Sequence, residues 1–230
     1  MNKFYLLWII FLSVNVLVAQ NQISFRQLSI KDGLSQNSAI SITQDQTGFL
    51  WIATQDGLNK YDGKQFTIYP FDFLDITKPN YSNLGKVYTD RNGDLWMVPV
   101  NKRLHKYDSA SDTFRPISDV KDVSILFQDK AYNFWIGTYD NGLFLLDSTT
   151  YNSKHVLKAN DIGGSIFDIN QRSDGTIILT TNKKIIEFDP QLQKAINKYP
   201  KTKYGDVINE NFSAVVMDSS ERQWYGTYGN

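Results

Sequence analysis

Eight aspartates recur at two fixed positions in this chain of 230 residues. Carboxylates are common agents of acid–base catalysis and the usual ligands of hard metal ions. Aspartate also begins turns, because its side chain accepts a hydrogen bond from the backbone two residues further on. The regular spacing favours turns, so we predict no catalytic or metal site at either set: Asp45, Asp90, Asp129 and Asp218, and Asp62, Asp108, Asp147 and Asp189.

No other group of residues in the sequence indicates an enzyme or a cofactor. The motifs Gly-x-Ser-x-Gly and His-Glu-x-x-His and a phosphate-binding loop are absent. The segment that begins at Asp90 resembles a calcium loop, but Leu95 replaces the turn glycine and Asn101 the closing glutamate. The two histidines, His105 and His155, lie in predicted strands and lack the helical setting of a phosphoacceptor. With no cysteine, disulfides and thiolate metal ligands are excluded.

The first set of aspartates belongs to a repeat that is marked by tryptophan. The marker position recurs at intervals of 45, 39, 43 and 46 residues and is held by Trp51, Trp96, Trp135, Ile178 and Trp224. This period is typical of the four-stranded blades of a β-propeller. Alternating apolar and polar residues predict short antiparallel strands, which in the first unit cover 39–45, 50–54, 58–61 and 66–69. We therefore predict an all-β fold, a β-propeller of antiparallel blades.

The strand count predicts an incomplete ring. Four units hold four strands each, and the fifth holds two, at 212–217 and 223–227. We therefore expect four whole blades and half of a fifth. The segment 23–28 is predicted to be an additional strand that completes the last blade of the ring. A five-bladed ring closed by this strand is the alternative.

The marker position and the turn before it have structural explanations. A large flat side chain that recurs once per blade fills the wedge between neighbouring sheets. The alternative is a platform for stacking sugars, but the aliphatic Ile178 favours packing. Glycine in the turn permits a positive φ angle. The third unit offers Asn133 instead, and the fifth has only Glu221 and Arg222, so we expect its turn to be longer or strained.

The beginning of the chain indicates export. Residues 1–20 carry one charge, Lys3, then an apolar run from Phe4 to Val18 and a small residue, Ala19, as in a secretory signal peptide. The alternative is a membrane anchor, but this run is shorter than the roughly 20 apolar residues that span a bilayer. We predict a periplasmic domain over 21–230 with no later membrane span. Because 24 basic residues balance 24 acidic ones, nucleic acid is not an expected partner.

A family resemblance lies in the first unit. The segments 33–38, Gly-Leu-Ser-Gln-Asn-Ser, and 42–63, Ile-Thr-Gln-Asp-Gln-Thr-Gly-Phe-Leu-Trp-Ile-Ala-Thr-Gln-Asp-Gly-Leu-Asn-Lys-Tyr-Asp-Gly, resemble the two-component regulator propeller repeat. The resemblance implies a seven-bladed propeller in the periplasmic sensor of a hybrid histidine kinase that controls glycan use. The sequence itself contains no kinase, receiver or DNA-binding segment, so kinase activity is not carried over. The implied partner is the remainder of such a sensor kinase, and we interpret the chain as the N-terminal part of a longer sensor.

Ligands of propellers usually meet the face made by the loops between the second and third strands and by the links between blades. The ligand expected from the resemblance is an oligosaccharide, and its candidate contacts are polar and aromatic loop residues: Gln55, Asp56, Phe71, Phe73, Tyr81, Asn101, Lys102, Tyr139, Asp140, Asn141, Asn182 and Lys183. Two other functions stay open: a structural or protein-interaction propeller, and a propeller hydrolase or lyase. A homodimer is also left open.

Overall fold

The computed structural model describes residues 24–69, 84–99, 103–196 and 211–228. These residues form eighteen strands in five antiparallel sheets. Blade 1 holds β1 (Ala39–Gln44), β2 (Leu50–Thr54), β3 (Gly57–Tyr61) and β4 (Phe66–Tyr69), and blade 2 holds β5 (Leu84–Thr89), β6 (Leu95–Pro99), β7 (His105–Asp108) and β8 (Thr113–Pro116). Blade 3 holds β9 (Val123–Gln128), β10 (Phe134–Thr138), β11 (Leu143–Leu146) and β12 (Ser153–Leu157), and blade 4 holds β13 (Ile166–Gln171), β14 (Ile177–Thr181), β15 (Ile185–Asp189) and β16 (Lys194–Ile196). Blade 5 holds β17 (Asn211–Met217) and β18 (Gln223–Tyr228).

The predicted all-β propeller is confirmed. Each sheet keeps its strands in chain order, and the first strand of one blade contacts the first strand of the next. These first strands are therefore the inner strands of the propeller. The only helical segments in the described ranges are a 3-10 turn at Ile30–Asp32 and one turn of α-helix, α1, at Ala159–Ile162. The number of blades in a complete ring stays a prediction.

Every inner strand contains a β-bulge near its beginning. The pairing with the second strand skips one residue in each blade, and the skipped residues are Ile40, Gly85, Ser124, Phe167 and Ser213. A bulge bends its strand and redirects the side chains beside it. In blade 1 the next residue, Ser41, accepts a hydrogen bond from Val87 N of blade 2 (3.3 Å) and donates one to Val87 O (3.2 Å). In blade 1 the bulge thus places a side chain that joins the backbones of two neighbouring blades.

The marker tryptophans of blades 1 to 3 lie between sheets. Trp51, Trp96 and Trp135 are at most 1% exposed. The ring of Trp51 lies 5.1 Å from that of Tyr107 in blade 2, and the ring of Trp135 lies 5.1 Å from that of Phe188 in blade 4. Trp51 and Trp135 thus pack against the third strand of the following blade, and Trp96 packs against Phe134 in the second strand of blade 3.

One carboxylate satisfies both the tryptophan and the turn that precedes it. Asp129 Oδ2 accepts the indole N–H of Trp135 at 2.9 Å, while Oδ1 accepts the backbone N–H groups of Ala131 (2.9 Å) and Asn133 (2.8 Å). The same indole bond measures 2.7 Å in blade 1, 2.9 Å in blade 2 and 3.1 Å in blade 5. The first set of aspartates therefore lies in turns, as predicted, and has a second role that the sequence reasoning missed.

In blade 4 the aspartate, the tryptophan and the lysine opposite the tryptophan are all replaced. Arg172 stands in the aspartate position and Ile178 in the tryptophan position, and Ile178 is fully buried. Its cross-strand partner is Glu187, at the position where blades 1 and 2 have Lys60 and Lys106 over the indole rings. Arg172 Nη2 lies 2.5 Å from Glu187 Oε1. The two charges are inverted relative to blades 1 and 2, and without an indole between them they pair directly.

The packing expected at Trp224 is absent from the described structure. Trp224 keeps its bond to Asp218 but is 57% exposed, and its cross-strand partner Val216 is also 57% exposed. In blades 1 to 3 the following blade covers this face, whereas no sheet in the described ranges follows β18.

The turns correct the expectation about the positive φ angle for blade 3 and decide between the two alternatives for blade 5. In blade 3, Tyr132 (φ 66°) takes this conformation, and Asn133 does not. In blade 5, Glu221 (φ 62°) takes the positive φ conformation. Its N–H donates to Asp218 O at 3.0 Å, and an equivalent bond closes each of the other four turns. That turn is therefore no longer than the rest, but a residue with a Cβ atom occupies a conformation that favours glycine.

The predicted additional strand at 23–28 is expected to complete the last blade of the ring, which the described residues do not include, so it stays a prediction. Residues 24–28 form no strand, since no neighbouring strand in the described ranges pairs with them. The chain after the 3-10 turn instead packs on blade 1, where Leu34 is buried and Ser35 N donates to Asn59 Oδ1 at 2.9 Å. The predicted signal peptide, 1–20, lies outside the described residues and stays a prediction.

Removing the acceptor of a buried indole should destabilise the protein. In Asp129→Ala the Trp135 N–H loses its partner inside the core, and the turn loses three further bonds, from Ala131 N, Asn133 N and Asn133 Nδ2. We expect the free energy of unfolding to fall by about 1–3 kcal/mol. Urea unfolding measures it, with Asp147→Ala as the control, because Asp147 is exposed and caps a surface turn. Equal losses in the two variants would contradict the role of the indole bond.

Acid should weaken the fold partly through Asp45. Desolvation opposes ionisation of this carboxyl group, but hydrogen bonds from Thr47 and Trp51 outweigh it and lower the pKa of Asp45. The folded state therefore binds fewer protons than the unfolded chain, whose aspartates titrate near a pKa of about 3.9. The stabilisation is present above that pH and is lost as the pH falls through the folded pKa. Urea unfolding between pH 7 and pH 3 should show a shallower acid decline for Asp45→Asn than for the unmodified protein. The exposed Asp119→Asn is the control, and parallel curves for all three proteins would refute this prediction.

Candidate functional site

The loops predicted to contact a ligand lie at one edge of the sheets. Ala39 at the start of β1 pairs with Thr54 at the end of β2, and Tyr69 at the end of β4 pairs with Leu58 at the start of β3. The loop between the second and third strands therefore lies at the same edge as the links between blades. We call this edge the upper face and the opposite edge, with the aspartate turns, the lower face.

A buried threonine holds each upper loop that the structure describes. Thr54, Thr138 and Thr181 end the second strands of blades 1, 3 and 4 and are fully buried. Thr138 Oγ1 donates to Gly142 O at 2.8 Å and accepts from Asn141 N at 2.9 Å. Thr54 and Thr181 make the equivalent pairs of bonds, at 2.8–3.2 Å. The loops are thus fixed at their base and present their tips in a defined position.

The predicted contact residues on these loops differ in exposure. Gln55, Asp56, Asp140, Asn141 and Lys183 are exposed, and Tyr139 and Asn182 are half-buried. The remaining candidates, Phe71, Phe73, Tyr81, Asn101 and Lys102, lie outside the described residues.

Two of the candidates have structural partners. The side-chain oxygen of Asn182 accepts a hydrogen bond from Ser165 N at 3.2 Å, which ties its loop to the link that enters blade 4. Gln55 Oε1 accepts a bond from Gln36 Nε2 at 3.2 Å, near the start of blade 1. Asn182 therefore helps to position the upper face, and the exposed Lys183 beside it is better placed for a ligand.

An open groove adjoins Asn141 between blades 2 and 3. Its volume is about 650 Å³, in the range of small-molecule sites. Polar and aromatic side chains line it, and the ring of Phe144 stacks on that of His155 with 4.4 Å between centroids. The lining residues are Asp119, Val120, Lys121, Asn141, Phe144, Tyr151, Asn152 and Ser153.

A second cluster lies where the inner strands begin, and we call it the channel mouth: Lys86, Tyr139, Phe167 and Asp168. The Tyr139 and Phe167 rings meet edge to face, with centroids 6.3 Å apart. Lys86 Nζ donates to Phe167 O at 2.9 Å and lies 3.9 Å from Asp168 Oδ1. Burial among the inner strands lowers the pKa of Lys86, and the charge of Asp168 opposes this effect.

Sequence reasoning found only Tyr139 of these four residues. The missed signal is a charge on the inner strand directly after the bulge, at Lys86 and Asp168. The other blades have Ser41, Ile125 and Ala214 at that position. Two of the predicted ligand contacts of blade 3 therefore lie in different sites: Tyr139 at the channel mouth and Asn141 at the groove.

The described ranges contain neither a metal-binding cluster nor a helix that could cross a membrane. No three histidine, aspartate or glutamate side chains there come together in a way that could hold a metal ion. No helix in these ranges is long and apolar enough to span a bilayer.

The sheets, the bulged inner strands and the loop face define a β-propeller, and comparison with known proteins shows which proteins the chain resembles. Residues 33–56 match the family model of the two component regulator propeller, so the chain carries this repeat and the resemblance predicted from its residues is confirmed. A stretch of 59 residues is 46% identical to histidine kinase P4 of Formosa agariphila. That match covers 26% of this chain and 4% of the kinase.

Solved structures share the fold over most of the chain. The extracellular domain of BT3049 from B. thetaiotaomicron, assigned to a hybrid two component system, superposes with a TM-score of 0.71 at 23% identity. The alignment covers 88% of this chain and 29% of that one. The extracellular domain of BT4673 from the same organism, assigned to a one component system, also gives 0.71, at 19% identity over 90% of this chain and 31% of that one. The chain therefore spans less than a third of the length of these relatives.

Loosening an upper loop should be measurable without a ligand. Thr138→Val removes the hydroxyl bonds to Gly142 O and from Asn141 N while keeping the side-chain shape. Each lost bond is worth about 1 kcal/mol, so amide hydrogen exchange in 139–142 should become roughly fivefold to thirtyfold faster. The control is Thr67→Val, on the exposed surface of β4. Unchanged exchange in the loop would show that Thr138 does not fix it.

Proposed function

We propose that the chain is the ligand-sensing propeller of a two-component regulator and recognises an oligosaccharide at the upper face. The observation that carries the proposal is the combination of a sensor-family repeat with a loop face whose base is fixed by buried threonines. Exposed amides and carboxylates on these loops suit sugar hydroxyls, and the faces of the aromatic rings of Tyr139 and Phe167 suit the C–H groups of a sugar. Because fixed loops lose little conformational entropy on binding, such a face suits a weakly apolar ligand.

The proposed location is the periplasm, with residues 1–20 acting as the export signal. Support comes from the relatives BT3049 and BT4673, whose matching structures are extracellular domains. The proposed partner is the remainder of a sensor histidine kinase, supported by the match to histidine kinase P4. In this proposal the propeller binds the ligand and performs no chemistry.

A glycan panel on the purified protein tests the proposal. We expect at least one oligosaccharide to raise the melting temperature and to give a saturable isotherm in calorimetry. A double variant, Tyr139→Ala with Asp140→Ala, should weaken that binding at least tenfold, since it removes a ring and a carboxylate from one loop. The matched control, Asp189→Ala, changes a carboxylate in a surface turn of the lower face.

Two results would contradict this function. One is the failure of every oligosaccharide in the panel to bind. The other is binding that the lower-face control weakens as much as the upper-face double variant does.

Protein interaction is the second candidate function, favoured by exposed apolar side chains on two blade flanks. Trp224 and Val216 are each 57% exposed on the face of blade 5 that points away from blade 4, and Ile42 is 61% exposed on the face of blade 1 that points away from blade 2. Neither flank is part of the upper face. Association that Trp224→Ser abolishes, in a protein that binds no glycan, would favour this function over the first.

A further inference from the structure

Lys86 joins blades that are not neighbours. It follows the bulge of β5 in blade 2, and its Nζ atom donates to Phe167 O in β13 of blade 4 at 2.9 Å. At the equivalent position of blade 1, Ser41 reaches only the backbone of the adjacent blade. The long lysine side chain therefore passes the inner strand of blade 3 and places an ammonium group at the channel mouth.

The charge of Lys86 is only partly compensated. The one carboxylate near it in the described ranges, Asp168, lies 3.9 Å away, too far for a direct hydrogen bond. Both oxygens of Asp168 already accept backbone bonds, Oδ1 from Ile169 N at 3.0 Å and Oδ2 from Val215 N at 2.9 Å. The single hydrogen bond of the ammonium group within those ranges goes to a neutral carbonyl.

The ammonium group thus keeps donors for a ligand. A lysine ammonium has three N–H groups, and Phe167 O uses one. The side chain of Lys86 is 41% exposed, so solvent or a ligand can reach it. A partly buried cation with spare donors is a strong partner for an anion.

An aromatic wall stands beside this cation. Phe167 is the skipped residue of the blade 4 bulge, so the same peptide that accepts the bond from Lys86 carries the ring that meets Tyr139. Both rings are half-buried. Bulges often redirect side chains at functional sites, and here two bulges, in blades 2 and 4, act on one small region.

We infer that the channel mouth binds an anionic group of the ligand, a carboxylate or a sulfate carried on a sugar, through Lys86, with the sugar ring against Tyr139 and Phe167. This inference rests on the proposed function and specifies its ligand class. A neutral sugar would have to desolvate the ammonium group without compensating its charge. An acidic sugar supplies that charge and should bind about tenfold to a hundredfold more tightly, as expected for a charge-assisted hydrogen bond.

Matched ligand pairs test the inference on the unmodified protein. Calorimetry compares trigalacturonate with its methyl ester, which has the same backbone without charge, and a sulfated carrageenan tetrasaccharide with its desulfated form. Tighter binding of the first acid identifies a carboxylate as the recognised group, and tighter binding of the second identifies a sulfate. The affinity of the preferred acid should fall as salt is added, whereas that of its neutral partner should not.

Variants assign the preference to Lys86. Lys86→Met keeps the length of the side chain and removes its charge, and should reduce the preference for the acid to less than threefold. Lys86→Arg should retain part of it. The control, Lys64→Met, lies in the exposed turn between β3 and β4 on the lower face and should not change it. Thermal unfolding checks that each variant folds, and the matched pairs give a result without any variant.

The outcomes separate this inference from the proposed function. If the acid and its neutral partner bind equally, or if Lys86→Met folds and keeps the preference, the inference is overturned and sugar sensing stands. If inorganic sulfate binds in a Lys86-dependent way while no saccharide does, the anion site stands and sugar sensing fails. If neither saccharides nor sulfate bind, both fail.

Discussion

The structure depends on the hydrogen bond between a buried indole N–H and the aspartate six residues before it. An indole between two sheets contributes a large apolar area, but its N–H group is costly to bury without an acceptor. The carboxylate that accepts this bond also accepts the backbone N–H groups of the turn. One interaction therefore links the turn and the second strand in each blade that has the tryptophan, and in blades 1 to 3 it also supports the packing of one blade on the next.

Blade 4 shows that the residues at the tryptophan, aspartate and cross-strand lysine positions depend on one another. Where Ile178 replaces the indole, no N–H needs an acceptor, and the aspartate is also replaced, by Arg172. The cross-strand lysine of blades 1 and 2 becomes Glu187, which pairs with Arg172 at 2.5 Å. Glu187 is 14% and Arg172 25% exposed in their side chains, so an unpaired member of this pair would be costly. Substitution of Ile178 by tryptophan alone would thus add an indole without its acceptor.

Much of the fold could be predicted from the sequence because a propeller repeats one local pattern. The intervals between Trp51, Trp96, Trp135, Ile178 and Trp224 define the blade, and alternation defines the strands within it. Prediction failed where a residue depends on partners distant in sequence. Trp224, for example, fits the repeat while no described sheet covers it. Tyr132 takes a positive φ angle because the turn geometry outweighs its preference.

The candidate site was less predictable than the scaffold for the same reason. Loop position identified Tyr139, Asp140 and Asn141, since second-to-third-strand loops always reach the upper face. Lys86 lies on the inner strand of blade 2, and Phe167 and Asp168 lie on the inner strand of blade 4. Lys86 and Phe167 are 81 residues apart in sequence, and only the bulges of their strands bring them together. The sequence of an inner strand resembles that of any core strand, so a charged residue in it is easily interpreted as a side chain that points into solvent. The repeat forms the scaffold, and the proposed channel-mouth site consists largely of residues that depart from the repeat.

Hydrogen exchange of the tryptophan indole N–H groups tests the central claim most directly. Nitrogen-15 labelling resolves each indole by nuclear magnetic resonance. The N–H groups of Trp51, Trp96 and Trp135, buried and bonded to aspartate, should be protected to nearly the extent of global unfolding, whereas that of the exposed Trp224 should exchange far faster. Rapid exchange at all four would contradict the claim that the aspartate–indole bond holds the blades together.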